Sequence, residues 1–312
     1  MKAKSIKGKS SKEIKSELQK SMEDGFKPTL AIVFLSMSQD RTAISEILEK
    51  EGINIFGSTT NGEFISEETE KGSVAILLLD INKEYYRIYF EEYPQKNYRE
   101  ITRQIAQNAK QIFSKPAFLI AGSHLETDAE ELLFGFEDVV GKDVNAFGGM
   151  AGDDFLLKEQ FVFTDKKSSN RGTVVLAFDE NKVEIKGVAT CGWKAVGTEK
   201  TVTKSEGNHV FTVDNIPVFE LTKKYGGIDP LMKKQEMVAL EIATNFPLQL
   251  QREAGDPVMR PGLIVDWDDG SFYCNGTVPQ GSKVKFSLPP DFDVMEKVIK
   301  GVEKLKATEM PE

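Results

Sequence analysis

Short apolar strand segments alternate with amphipathic helix segments from Pro28 onward, and this rhythm restricts the chain to a layered fold. Leu30 to Leu35 and Ile53 to Phe56 are typical of buried strands, and the helix predicted between them runs from a cap at Ser38 to Lys50. Thr127 then begins a capping box ahead of another apolar helix face. This part of the sequence therefore predicts α/β architecture.

Strands dominate after residue 143, where turn signals separate short alternating segments. We predict a strand at Val183 to Ala189, and hairpins around Gly207 and around Gly270. Earlier in the chain, Val74 to Leu79 and Tyr85 to Glu91 are predicted to pair as an antiparallel hairpin. The fold class that follows is mixed α+β, with layered mixed sheets and helices on the outer faces. An αββα-like sandwich is one arrangement compatible with these layers, and the pattern alone does not decide it.

The change from alternating strands and helices to mainly strands divides the chain into two predicted domains, which follow a basic N-terminal leader. Residues 1–27 are lysine-rich, and Ile14, Leu18 and Met22 give them the spacing of a short, solvated helix. Residues 28–213 form the first predicted domain, and residues 214–312 form the second. A length of 312 residues suits about two domains.

Composition excludes several classes of protein. The net charge of −9 argues against a general nucleic-acid binder, which needs a basic surface. The apolar runs are too short for a membrane helix of about 20 residues, so we expect no membrane partner. The N-terminus lacks a secretory apolar region, and two cysteines are too few for a disulfide framework. We therefore expect a cytoplasmic protein.

Two glycine-rich loops directly follow predicted strands, where open α/β sheets bind ligands. Glycine lets a backbone approach a ligand, and the neighbouring hydroxyls and carboxylates supply polar contacts. Neither loop has the P-loop or dinucleotide-binding pattern, and tight turns with a purely structural role are the competing interpretation. The candidate ligand-binding residues are Gly57, Ser58, Thr59, Thr60, Asn61, Gly62 and Glu63 of the first glycine-rich loop (57–63), and Gly148, Gly149, Ala151, Gly152, Asp153 and Asp154 of the second glycine-rich loop (148–154).

Residues suited to metal or nucleophilic chemistry are sparse. The two histidines, His124 and His209, lie far apart in the sequence and show no metal-ligand spacing, so we predict no metal site. Either histidine could serve as an axial haem ligand, although neither lies in a haem motif. Asp153 and Asp154 could together hold an ion in a metal-assisted hydrolase, which is the weakest alternative.

The two glycine-rich loops resemble the signature loops of the FIST N domain, most specifically in the run from Gly148 to Asp154. Residues 206–208, 218–221 and 276–281 resemble the beginning of the FIST C domain, and the resemblance extends from Pro28 to the end. Family members usually continue beyond the position of Glu312, so we expect the second domain to be incomplete at its C-terminus.

The resemblance implies an intracellular sensory module for signal transduction, with a histidine kinase or a chemoreceptor as its protein partner. It also implies a small ligand, with amino acids as the proposed class, and it raises haem-based nitric-oxide sensing as an alternative. We predict a non-catalytic protein without a required cofactor. In this hypothesis Ser58, Thr59 and Thr60 bind the ligand's carboxylate, and Asp153 and Asp154 bind its amino group.

Overall fold

The computed structural model describes residues 1–65, 68–189, 191–227, 235–252 and 257–307. Its internal contacts group the chain into two compact units, Met1–Ile185 and Lys186–Glu312. The fold is mixed α+β, as the sequence predicts, with helices and mixed sheets in the first unit. The predicted domain boundary at residue 214 stays a prediction.

The first unit contains two large sheets, each flanked by helices, and a separate two-stranded sheet formed by its fourth and fifth strands. Its strands are β1 (Lys2–Gly8), β2 (Leu30–Leu35), β3 (Asn54–Thr59), β4 (Glu63–Ile65), β5 (Glu68–Glu70), β6 (Val74–Asp80), β7 (Tyr86–Glu92), β8 (Pro116–Gly122), β9 (Ala146–Met150), β10 (Val162–Phe163), β11 (Ser168–Ser169) and β12 (Gly172–Asp179). Its helices are α1 (Ser11–Met22), α2 (Arg41–Lys50), α3 (Tyr98–Ile112) and α4 (Ala129–Val140), with a 3-10 turn at Lys83–Tyr85.

The first sheet has the order β1-β6-β2-β3-β10-β11 and buries both of its faces over much of its area. On one face, Val33, Leu35 and Ile76 pack against Ile14 of α1 and Ile44 of α2. Successive side chains of a strand point to opposite faces. The alternate residues of β2 and β6 therefore face the other way, toward the second sheet.

The second sheet has the order β7-β12-β8-β9 and lies against the first. Leu30 and Phe56 of the first sheet share a core with Val174 and Leu176 of β12. The opposite face of β12 packs with α3 and α4 in a separate core. The first unit is thus a four-layer αββα sandwich, and this arrangement confirms the predicted layers with helices outside.

Two predictions for the first unit are wrong. The basic N-terminal segment is no solvated leader, because β1 pairs antiparallel with β6 and both Ile14 and Leu18 of α1 are buried. The strands β6 and β7 do not form a hairpin, because β6 pairs with β1 and β2 whereas β7 pairs with β12. The chain between them crosses from one sheet to the other, and Ile81 and Tyr86 are buried at the crossing.

Three local predictions also need correction. Residues 183–189 form no strand, although Val183 and Ile185 still pack against the core between the sheets. The helix α2 is capped by Asp40 rather than by Ser38, and its side chain accepts the Ala43 N–H. Likewise the carboxylate of Asp128, one residue after the expected cap, caps α4.

The second unit is built on one large antiparallel sheet with a core of its own. Its elements are β13 (Lys194–Glu206), β14 (His209–Val213), β15 (Ile216–Pro217), β16 (Leu248–Leu250), β17 (Val258–Arg260), β18 (Gly262–Asp266), β19 (Ser271–Cys274), β20 (Lys283–Leu288), α5 (Val218–Gly226), α6 (Gln235–Asn245) and α7 (Asp293–Ala307). Both predicted hairpins, β13–β14 and β18–β19, are confirmed. Val238 and Ile242 of α6 are buried in this core.

Candidate functional site

The two glycine-rich loops occupy equivalent places in the two sheets of the first unit. In the first sheet, α2 connects the parallel strands β2 and β3, and the first glycine-rich loop contains the end of β3. In the second sheet, α4 connects the parallel strands β8 and β9, and the second glycine-rich loop contains the end of β9. Each loop therefore lies at the carboxyl ends of a parallel strand pair, where α/β proteins commonly bind ligands.

The structure brings the two loops into direct contact. The N–H of Gly152 donates to the carbonyl oxygen of Thr59 at 2.8 Å, and the N–H of Asp154 donates to that of Thr60 at 3.2 Å. The side-chain oxygen of Asn61 accepts two more N–H groups from the second loop and its continuation, Asp153 at 2.9 Å and Phe155 at 3.1 Å. Asn61 is therefore the side chain that joins the loops.

This contact depends on the absence of a side chain at Gly152. A Cβ atom there would lie 2.6 Å from Oδ1 and 2.8 Å from the backbone nitrogen of Asn61, well inside van der Waals contact. Gly149 differs, since no atom lies within 4 Å of the place its Cβ would take. Close approach between the loops thus requires glycine at 152 and not at 149.

The carboxylates of the second glycine-rich loop are engaged within the protein. Asp153 is buried and accepts the backbone N–H groups of the three residues 157, 158 and 159. Asp154 accepts the hydroxyl of Ser36 at 2.7 Å and the N–H of Met37 at 3.1 Å. Both carboxylates thus accept hydrogen bonds from within the protein, and the ligand-binding role of both residues stays a prediction.

The hydroxyls at the end of β3 are engaged in the same way. Ser58 donates to the carbonyl oxygen of Thr59, and the Thr59 hydroxyl accepts the N–H of Phe161 at 2.9 Å. Both side chains are buried. Their predicted role in holding a carboxylate stays a prediction. In this conformation the Thr59 hydroxyl connects β3 to the segment before β10, whereas the Ser58 hydroxyl bonds within β3.

Glu63 is the buried carboxylate of the first glycine-rich loop. It is 2% exposed and accepts the Thr60 hydroxyl at 2.6 Å, together with the N–H at 3.1 Å and the hydroxyl at 2.9 Å of Ser73. Among the described residues no cationic side chain pairs with it, while Lys7 and Lys9 pair with Glu70 instead. A glutamate this deeply buried is rarely left without a cation.

A cavity of about 570 Å³ opens beside the first glycine-rich loop. Apolar side chains of β2, β6 and β8 form most of its wall, and Thr60, Gly62 and Glu63 form its polar part. Its lining comprises Ser5, Ile32, Phe34, Thr60, Gly62, Glu63, Phe64, Ile65, Ala75, Ile76, Leu77 and Leu119. The volume lies in the range of small-molecule sites, which are mostly apolar with a few polar groups.

The cavity includes residues that the sequence-based candidates omit. Phe34 and Leu77 are partly exposed there, and Phe64 is 73% exposed. The signal in the sequence is the alternate apolar residues of β2 and β6 on the face toward the second sheet, but the sequence does not show where that face is left uncovered. Of the second glycine-rich loop, itself fully described, no residue contributes to the lining.

The two histidines were tested as haem ligands against their surroundings. The Nε2 of His209 is 2.6 Å from the Ser271 hydroxyl, and its ring stacks on Tyr273 with centroids 3.9 Å apart. The Nδ1 of His124 accepts the N–H of Glu126, and burial lowers the pKa of the His124 imidazole. Neither histidine lines the described cavity, so these residues do not fit a haem bound there.

The described segments of the chain contain neither a metal-binding group of side chains nor a membrane-spanning helix. No three or more His, Cys, Asp or Glu side chains are grouped there so that they could hold a metal ion. Among the helices of those segments, none has both the length and the apolar character needed to cross a bilayer.

The four-layer sandwich and its two joined glycine-rich loops define the first unit as a mixed α+β domain of the αββα class. The family model of the FIST N domain matches residues 29–216, and the chain belongs to the FIST family, which is generally a sensory, signal-transduction module. The match covers the first unit from residue 29 and continues through β14 of the second. The predicted partial FIST C domain stays a prediction. Searches of curated proteins and of solved structures found no match.

Proposed function

We propose that this chain is a non-catalytic sensory module that binds a small molecule in the cavity beside the first glycine-rich loop. The observation that carries the proposal is the cavity itself, which lies in the FIST N region and includes Thr60, Gly62 and Glu63 of that loop. A mostly apolar cavity with a few converging polar groups is the usual form of a ligand site.

Binding would act by shifting a pre-existing equilibrium between conformers. Thr60 lines the cavity, and its neighbour Asn61 holds the second glycine-rich loop through the N–H groups of Asp153 and Phe155. Phe155 and Leu156 lie at the surface immediately after that loop. A ligand that moves Thr60 would therefore alter an exposed apolar segment, which a cytoplasmic histidine kinase or chemoreceptor would recognise.

The first ligand class to test is the amino acids, because Thr60 and Glu63 place a hydroxyl and a carboxylate in the cavity lining that suit an ammonium group. A thermal-shift screen of the full chain with amino acids and other small metabolites is the experiment. A ligand at about 100 times its Kd adds about 2.7 kcal/mol to the free energy of unfolding. The melting temperature should rise for binders and stay unchanged for the rest.

A matched pair of variants assigns any shift to the cavity. Leu77→Trp places a large ring in the cavity and should abolish the shift, because Leu77 lines it and is 37% exposed there. Leu133→Trp is the control, since Leu133 is 43% exposed on α4 and is not part of the lining. A shift that survives Leu77→Trp, or no shift with any compound, would refute the proposed site.

A further inference from the structure

We infer that the ligand of this cavity is an amphipathic amine, with an apolar body between the sheets and a cationic head group paired with Glu63. The inference rests on the proposed function and specifies the chemistry of the same site. It differs from the sequence-based hypothesis, which assigned the ligand's amino group to Asp153 and Asp154. Three observations carry it: the apolar wall, the engaged carboxylates of the second loop, and the uncompensated charge of Glu63.

The wall of the cavity selects for an apolar body. Ile32, Phe34 and Leu77 come from adjacent strands of the first sheet, and Leu119 comes from the second. Phe34 and Leu77 are 39% and 37% exposed, although neighbouring residues of the same strands are fully buried. Covering such apolar surface is favourable by about 25 cal/mol per Å². A free polar amino acid would leave this wall uncovered.

Glu63 selects for a cationic head group. Its carboxylate accepts donors from Thr60 and Ser73, and these hydrogen bonds satisfy part of its capacity of about four acceptor sites. The three bonds bring no positive charge, and the described residues place no cationic side chain on it. A buried charge is costly unless it is paired. An ammonium group on the ligand would provide the missing counter-charge.

The second glycine-rich loop cannot provide this recognition in the same conformation. Asp153 accepts three backbone N–H groups, and Asp154 accepts the hydroxyl of Ser36 and the N–H of Met37. Neither aspartate contributes to the cavity wall. Within the described part of the chain, Glu63 is thus the loop carboxylate that lines the cavity without a paired cation, and it fixes which end of the ligand faces the loop.

Calorimetric titration of the full chain with n-octylamine, n-octanol and n-octanoate tests the inference, because the three probes share one apolar body. We expect n-octylamine to bind about tenfold or more tightly than n-octanol, as a charge-assisted hydrogen bond implies. We expect n-octanoate to bind most weakly. Leu77→Trp should abolish binding of the amine, which locates the probe in the cavity.

Two substitutions separate recognition by Glu63 from attraction to an acidic surface. Glu63→Gln should reduce the preference for amine over alcohol to about onefold, because the charge-assisted hydrogen bond is lost. Glu49→Gln is the control, since Glu49 is exposed on α2, outside the cavity lining, and should leave the preference unchanged. If Glu63→Gln fails to fold, the order of the three probes on the unsubstituted chain and the loss with Leu77→Trp decide the question.

The outcomes distinguish this inference from the proposed function. Equal binding of amine and alcohol, tightest binding of the carboxylate, or a preference retained in Glu63→Gln overturns the amine assignment and leaves a ligand cavity in place. If none of the three probes binds but a metabolite shifts the melting temperature in a way that depends on Leu77, the amine assignment alone is overturned. If nothing binds in either experiment, both the amine assignment and the proposed function are refuted.

Discussion

Gly152→Ala should separate the two glycine-rich loops, and its effect can be estimated from the structure. The added methyl group would lie 2.6 Å from Oδ1, 2.7 Å from Cγ and 2.8 Å from the backbone nitrogen of Asn61. The side chain of Asn61 could rotate away, but the backbone nitrogen could not. The loops must therefore move apart or the methyl group must remain overpacked.

Two costs add up in this variant. Overpacking costs about 1–3 kcal/mol. If the Asn61 oxygen moves away, the buried N–H of Asp153 loses its acceptor, which costs about 1–3 kcal/mol more. The free energy of unfolding should thus fall by about 2–6 kcal/mol. For a unit of this size the melting temperature should fall by about 4–24 °C.

Gly149→Ala is the control from the same loop, because its methyl group would meet open space and should change stability by less than about 1 kcal/mol. Trp193 and Trp267 both lie in the second unit, so tryptophan fluorescence would not report on these loops. Thermal unfolding by circular dichroism and hydrogen exchange of the segment 148–160 are the suitable measurements. Equal melting temperatures and equal exchange in the two variants would refute the argument.

Two other features of the first unit give further predictions. Burial raises the pKa of the Tyr93 hydroxyl to about 12, so its stabilising effect is present below pH 10 and is lost as the pH rises toward 12. Urea titrations should therefore show a shallower alkaline loss of stability in Tyr93→Phe, and an unchanged slope would contradict the assignment. Gly135→Ala should lower the free energy of unfolding by about 3 kcal/mol, because a Cβ there would lie 2.0 Å from the Thr102 hydroxyl oxygen on α3. A thermal melt identical to that of the unsubstituted chain would show that the helices can separate without cost.

Local sequence patterns predicted the elements that have a continuous apolar run or a capping side chain close to the helix start. The strand β2 is a continuous apolar run, and the capping side chains of α2 and α4 lie within two residues of the predicted positions. The strand β1 was missed because only Ile6 and Gly8 are buried, and its partner β6 lies more than 60 residues further on. No periodicity within β1 reveals a neighbour that distant in sequence.

The hairpin predicted for β6 and β7 failed for a related reason. A connection of five residues can close a hairpin or carry the chain to a second sheet, and its length does not distinguish them. The deciding factor is the buried contact of Ile81 and Tyr86 between the two sheets, which depends on strands contributed by later parts of the chain. Tertiary packing therefore fixed the pairing that turn chemistry left open.

The same limit applies to the candidate site. The sequence places both glycine-rich loops at strand ends, but it does not show whether a loop carboxylate caps backbone N–H groups or lines a cavity. Asp153 is consumed by N–H groups four to six residues away, whereas Glu63 remains beside a cavity. Distinguishing them required the positions of their donors, which the spacing of residues in the loop does not encode.

These contacts give the two loops unequal roles. The first glycine-rich loop lines the cavity through Thr60, Gly62 and Glu63. The second loop does not line the cavity but holds the first loop in place, because the N–H of Asp153 donates to the side chain of Asn61. Substitutions in the second loop should then alter ligand affinity only by displacing the first loop. Across variants of Gly152, the loss of ligand affinity should therefore increase together with the rate of hydrogen exchange in the segment 148–160. Substitution of Glu63 should instead change the choice of ligand while the contact between the loops persists. A ligand preference that follows Gly152 and ignores Glu63 would reverse these roles.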